Sequence, residues 1–149
     1  MPLLVVTGYP SSGKTTRAEQ IREDLVRRIV GSKEDRERKL KVHIVNDDIL
    51  KIPKDVYRKA KLEKAARGSL MSSTGRLLTK DDIVICDGLN YIKGFRYQLY
   101  CESKALETPH CVVHVGVPKE VCEEWNRSRG DEGYPEDMHV QNRKQGLIW

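Results

Sequence analysis

Long apolar runs and paired cysteines are both missing from this chain of 149 residues. No stretch approaches the ~20 apolar residues that a membrane-spanning helix requires, so no membrane partner is expected. The run Leu3-Leu4-Val5-Val6 is too short for the apolar region of a secretory leader and leads straight into a glycine-rich turn, so no leader is expected either. The four cysteines, Cys86, Cys101, Cys111 and Cys122, form no C-x-x-C pair. Without metal-ligand spacing a zinc site is not expected, and the thiols read as reduced groups in or near the core. Internal repeats and low-complexity tracts are absent too. Apolar residues make up 38% of the chain, lean but sufficient for one domain with a genuine core. A monomer in the cytoplasm, or in the nucleus as well, is the expectation.

Charge is plentiful: 27 Lys and Arg against 22 Asp and Glu give a net +5, with a pI near 9.0. Such a balance suits RNA or the phosphates of a nucleotide, and equally a solvated basic surface.

Residues 3–7 read as a short buried strand bounded by Gly8. From Lys14 the period changes, with Ala18, Ile21, Leu25 and Ile29 at helical spacing and Gly31 as a stop. Residues 32–41 are nearly all charged and read as a solvated loop. Val42–Val45 is a second strand ending at Asn46-Asp47-Asp48. Pro53 breaks the chain, and a basic helix is expected over about 55–78, weakened by Gly68 and Gly75. Ile83–Cys86 is a third strand closed by Asp87-Gly88. A helix over roughly 95–106 follows, then a fourth strand over Cys111–Val115. Pro118 opens a last helix. Alternating strands and helices define an α/β fold with a parallel sheet flanked by helices.

The strongest signal is Gly8-Tyr9-Pro10-Ser11-Ser12-Gly13-Lys14-Thr15, a G-x-x-x-x-G-K-T run placed after a strand and before a helix. Its letters alone occur by chance in roughly half a per cent of chains this long. Backbone N–H groups of such a loop curl around phosphates at a helix N-terminus. Lys14 is expected on the β- and γ-phosphates of ATP, Thr15 on Mg²⁺, and Thr16 on a further phosphate oxygen. Asp87 ends an apolar strand, the position from which a carboxylate orients Mg²⁺; a plain Asp-Gly turn is the alternative. Asp47 and Asp48 end the second strand and would face the same crevice, as an acceptor of a proton from water or a hydroxyl, or as a turn or N-cap. Asp48 is the favoured one of the two. Arg127 and Arg129 close the last helix ahead of Gly130, where an arginine folds over the γ-phosphate as a lid or simply answers the helix dipole.

With these residues placed, the chain resembles the Elongator-associated P-loop ATPases of the killer-toxin-insensitivity group, relatives of the kinase that phosphorylates seryl-tRNA charged for selenocysteine. The likeness rests on Leu4 through Thr16 and, more specifically, on Asp87-Gly88-Leu89-Asn90-Tyr91-Ile92-Lys93-Gly94-Phe95-Arg96-Tyr97-Gln98-Leu99-Tyr100-Cys101. Glu63-Lys64, Arg67 through Ser72 and Trp125-Asn126-Arg127-Ser128-Arg129-Gly130 also fit. The resemblance implies a kinase-like P-loop fold over residues 1–135, ATP hydrolysis stimulated by tRNA, and service to wobble-uridine modification by the Elongator complex. It carries phosphate, metal and lid roles onto Lys14, Thr15, Asp87 and Arg129, and places Asn90, Tyr91 and Arg96 near nucleotide or RNA. Two departures stand out. Trp125 occupies a position where the related tRNA kinases carry arginine, which favours hydrolysis over transfer to RNA. After about Met138 the family pattern is lost, so residues 136–149 read as an atypical tail, the fifth strand is doubtful, the family's RNA-binding C-terminal domain is expected to be absent, and a truncated or variant product is the expectation.

Three activities compete. An ATPase coupled to a tRNA-modifying complex leads. A kinase passing the γ-phosphate to RNA or a small metabolite follows, and a non-catalytic nucleotide-dependent module docking through residues 54–67 comes third. Tyr57, Tyr91, Tyr97 and Tyr100 lie among Lys and Arg, either as stacking platforms for RNA or as core residues.

Overall fold

The computed structural model describes residues 2–135. Leu3–Gly8 forms β1, Lys41–Asn46 β2, Asp82–Asp87 β3 and His110–Val115 β4. All pair in parallel, in the order β2-β3-β1-β4. The register sets Val6 beside Asp87, Asn46 beside Asp87 and Gly8 beside Val115, so the strands finish along one edge. The chain leaves β1 toward one side of the sheet and leaves β3 toward the other. This reversal opens a crevice at the end of β1, where open α/β sheets hold ligands.

β1 and β3 are apolar on both faces because both faces are covered. On one side Val6 and Ile85 meet Ala18, Ile21 and Leu25 of α1 (Lys14–Gly31). On the other, Leu3, Val5, Val84 and Cys86 pack with Leu70 of α3 (Ala60–Leu77) and with Phe95 and Leu99 of α4 (Lys93–Ala105). The α/β architecture expected from the pattern is the one observed. No helix among the described residues is long and apolar enough to cross a membrane.

Several local readings change. The charged segment after α1 is not all loop: Lys33–Glu37 forms a short helix, α2. The Ser32 hydroxyl accepts from the Asp35 amide at 3.3 Å, and Glu34 and Asp35 sit favourably in the first turn. Gly31 does not stop α1, which includes it; extended backbone at Ser32 does. The basic stretch is two pieces, a 3-10 turn over Lys54–Arg58 and then α3, separated by extended Lys59. α3 passes through Gly68 and Gly75 without breaking. Of the four thiols only Cys86 and Cys122 are buried, whereas Cys101 and Cys111 are exposed. Cys101 lies on the outer side of α4, and Cys111 lies on β4, an edge strand of the sheet among the described residues. Burial pushes the Cys86 thiol up to about 12, which leaves it an inert core group. The last helix, α5, spans Lys119–Ser128 with Pro118 as its N-cap. Four strands are described; the tail at 136–149 lies outside the described residues.

Candidate functional site

The loop between β1 and α1 turns on three residues with positive φ: Gly8 at 154°, Ser11 at 58° and Gly13 at 81°. Only glycine fits at position 8, because a Cβ there would meet the Val115 carbonyl oxygen at 2.7 Å. Left-handed Gly13 caps α1 with no side-chain partner, so the first-turn amides remain free for an anion. Pro10 is fully buried beneath the loop, and Ser12 is buried with its Oγ lacking a hydrogen-bond partner among the described residues. The Ser11 hydroxyl donates to Asn126 Oδ1 of α5 at 2.8 Å, which fixes the loop's outer side.

Above the loop lies a cavity of about 320 Å³. Ser11, Gly13, Lys14, Thr15 and Thr16 line its floor. Asp47, Asp48 and Asp87 arrive from the strand ends, and Arg129 from the end of α5. Gly8, Tyr9, Pro10 and Ser12 shape the loop from below. Arg127 is exposed, and its Nε donates to the Glu123 carbonyl oxygen at 3.4 Å, so of the two candidate lid arginines only Arg129 lines the cavity. Trp125 is 44% exposed.

Lys14 is buried, and its ammonium donates to the Tyr9 carbonyl oxygen at 2.5 Å. Burial pulls its pKa down to about 8, against the attraction of Asp87, Cys122 and Asp47. Asp87 is buried with Oδ1 unpartnered among the described residues. Burial holds its carboxyl above the usual range, opposed by the Thr15 hydroxyl, the Lys14 charge and Asn46. Asp47 is buried as well; its Oδ2 accepts from the Tyr57 hydroxyl at 2.6 Å, and its Oδ1 has no partner among the described residues. Burial, only partly offset by that hydrogen bond, raises Asp47 to about 6. Asp48 is exposed on the rim. Both aspartates line the cavity, but a turn carries position 48 outward, while position 47 stays buried beside the strand end under Tyr57. Two buried carboxylates with orphaned oxygens over one phosphate cradle fit a hydrated divalent cation, with Thr15 and Asp87 as its first candidates.

Asn90, Tyr91 and Arg96 do not line this cavity. Asn90 Nδ2 donates to the carbonyl oxygens of Val6 at 2.8 Å and Cys86 at 3.1 Å, which laces the ends of β1 and β3 together. Its φ of 44° lies in a region that asparagine tolerates. Arg96 Nη1 donates to the Asn90 and Tyr91 carbonyl oxygens at 2.9 and 2.8 Å. The Tyr91 hydroxyl donates to Glu63 Oε1 of α3. The segment supports the site from behind and does not line the nucleotide cavity.

Sequence reasoning missed Tyr134. The Asn126 side chain accepts from the Tyr134 amide at 2.7 Å and donates to its carbonyl oxygen at 2.7 Å. Lys54 donates to the Glu132 carbonyl oxygen at 2.5 Å and stands 5.3 Å from the centre of the Tyr134 ring. Residues 130–134 thus form a strap over one side of the cavity. The uncharged Asn126 next to Trp125 within the motif at 125–130 is the available signal for that residue; nothing in the sequence marks Tyr134.

The sheet order, loop and converging groups define a P-loop fold of the kinase-like kind. Solved structures agree. The APS kinase CysC of Mycobacterium tuberculosis, in complex with AMPPNP and APS, matches 96% of this chain and 73% of its own with a TM-score of 0.64, and at 14% identity the likeness is one of fold alone. Within that class the chain belongs to the family described as chromatin associated protein KTI12, whose model matches residues 1–141. The protein kti12 of Schizosaccharomyces pombe is 52% identical over 141 residues, 95% of this chain and 50% of that protein. Kti12 of Chaetomium thermophilum, in complex with ADP-AlF3, superposes with a TM-score of 0.84 at 42% identity over 97% of this chain and 79% of that one. The chain spans about half the length of the S. pombe relative. The family expected from the segment after β3 is thus the one found.

Proposed function

We propose that this protein binds Mg-ATP and hydrolyses it, and that it serves the Elongator complex in wobble-uridine modification of tRNA, with RNA stimulating turnover. The single observation that carries the catalytic half is the convergence of Lys14, Thr15, Asp47, Asp87 and Arg129 on one cavity above the loop. The Chaetomium relative supports it, since its ligand joins ADP to a stand-in for a transferring phosphoryl group. Family membership and the resemblance over residues 87–101 support the Elongator and tRNA half.

In this reading the loop amides take the phosphates, and Lys14 releases Tyr9 to reach the β- and γ-phosphate oxygens. Asp47, held through Oδ2 by Tyr57, turns Oδ1 toward the attacking water and orients it. Arg129 adds positive charge where negative charge builds. Thr15 and Asp87 would hold magnesium, which would supply positive charge to offset that of the phosphates.

A kinase reading is favoured by one further feature. A wider concavity of about 870 Å³ adjoins the cavity at Asp48, Lys54 and Glu132, with room for an acceptor. ATP labelled in the γ-phosphate separates the two: label in free phosphate alone supports the hydrolase, and label on RNA or a metabolite overturns it for the kinase. Lys14→Ala is expected to reduce phosphate release at least a hundredfold; turnover that survived would remove Lys14 from the reaction.

A further inference from the structure

Positive charge is not spread evenly over this protein. Residues 51–67 hold seven Lys and Arg against Asp55 and Glu63, a net +5 that equals the charge of the whole chain. Everything outside this segment is balanced. Elsewhere several basic side chains, though not all, have an acid one turn away: Arg22 has Glu19 at 2.8 Å, Arg28 has Asp24 at 2.7 Å, and Lys119 has Glu123 at 2.8 Å. Here Lys51, Arg58, Lys59, Lys61 and Lys64 are exposed and make no ion pair among the described residues. Glu63, the acid of α3's first turn, cannot serve them. It is buried, and Arg67 and Tyr91 consume its carboxylate.

The shape of the same face points the same way. Positions 61, 64, 65 and 68 recur at one-turn spacing and share a side of α3. Beyond the lysines that side is smooth: Ala65, Gly68 and Ser69 are exposed. A Cβ on Gly68 would meet nothing within 4 Å, so packing does not require glycine there. Mid-helix glycine is destabilising relative to alanine, and a ligand backbone lying close against the helix is a reason to keep it. Leu62, 44% exposed, is the one large apolar side chain that α3 exposes, whereas a helix that lies on a membrane presents a whole apolar face. The basic surface is also continuous with the site. Lys54 lines the nucleotide cavity, and Arg58 lines the concavity beside it.

We propose that the outer face of α3, with the basic turn before it, is a docking surface for the phosphate backbone of RNA, laid so that one end of the RNA reaches the nucleotide cavity. This deepens the RNA-coupled reading above and rests on it. Recognition through lysines and a smooth helix face is read as sequence-independent and salt-sensitive.

The test uses the full chain, unfractionated tRNA and the triple substitution Lys59→Gln, Lys61→Gln, Lys64→Gln, none of which lines the nucleotide cavity. ATP affinity and RNA-free phosphate release serve as controls for folding. The expected result is tRNA affinity weakened by roughly ten- to a hundredfold at moderate salt, with the log–log salt slope reduced by about 2 to 3. The triple change to arginine should restore both, and Gly68→Leu, which adds bulk alone, should weaken binding without changing the slope. Unchanged tRNA affinity and slope in the glutamine variant overturn this surface and leave the proposed activity standing. Equal or tighter binding to vesicles of anionic phospholipid than to tRNA also overturns it. Failure of the unmodified chain to release phosphate counts against the hydrolase instead, because RNA binding is read independently by anisotropy.

Discussion

Lys14 and the two buried carboxylates are held in states that suit a ligand better than they suit the empty fold. Burial brings Lys14 down to about 8, so above that pH the side chain is largely neutral and must take up a proton to meet the phosphates. Nucleotide affinity is therefore expected to fall as pH rises through about 8, with net proton uptake on binding between pH 8 and 9. Calorimetry in two buffers of different ionisation enthalpy checks this, and Lys14→Arg should abolish the uptake. Asp87 has an orphaned buried oxygen and a carboxyl disfavoured by burial. Asp87→Asn is expected to stabilise the ligand-free protein by about 0.5–2 kcal/mol while removing the stabilisation given by Mg-nucleotide. Melts with and without ligand decide it, and a ligand-free variant less stable than its parent would contradict the assignment.

At the scale of elements, the segment after β3 behaves as a fastener for the sheet edge. Asn90 satisfies two buried carbonyl oxygens from different strands, so Asn90→Ala leaves both without that partner. A loss of about 1–3 kcal/mol in urea denaturation is expected, together with weaker nucleotide binding as β1 and β3 drift apart. This support role was not legible in the sequence, and the reason is physical. A motif marks which residues matter but not whether they point at a ligand or at the chain behind it. The same limit explains the two aspartates after β2, whose order follows from a turn that seats Tyr57 over Asp47. What periodicity could fix, it fixed: the apolar strands and the helix from Lys14 lie close to where they were read. The short helix at 33–37 escaped because its signal is a cap, Ser32 ahead of Asp35, rather than an apolar stripe. Tyr134 escaped because its place depends on Asn126, eight residues back across a turn.

For the whole molecule, the clustered carboxylates make stability depend on pH in an uncommon direction. Asp47 sits at about 6 in the fold against an ordinary 3.8, and Asp87 is shifted the same way. A raised carboxyl favours the folded state most fully below its unfolded value, and that contribution disappears as pH climbs through the folded value. The ligand-free protein should thus lose stability between about pH 4 and 6, and Mg-nucleotide should flatten the profile. Midpoints measured across that range test it; a rise over the interval without ligand would mean the carboxylates are paired in solution.

Asn126 has one further consequence. Its single amide oxygen takes hydrogen bonds from Ser11 on one flank and from the Tyr134 backbone on the other. Under the proposed hydrolysis, a displacement of the 130–134 segment would be felt at Ser11 on the phosphate loop, because both share this one oxygen.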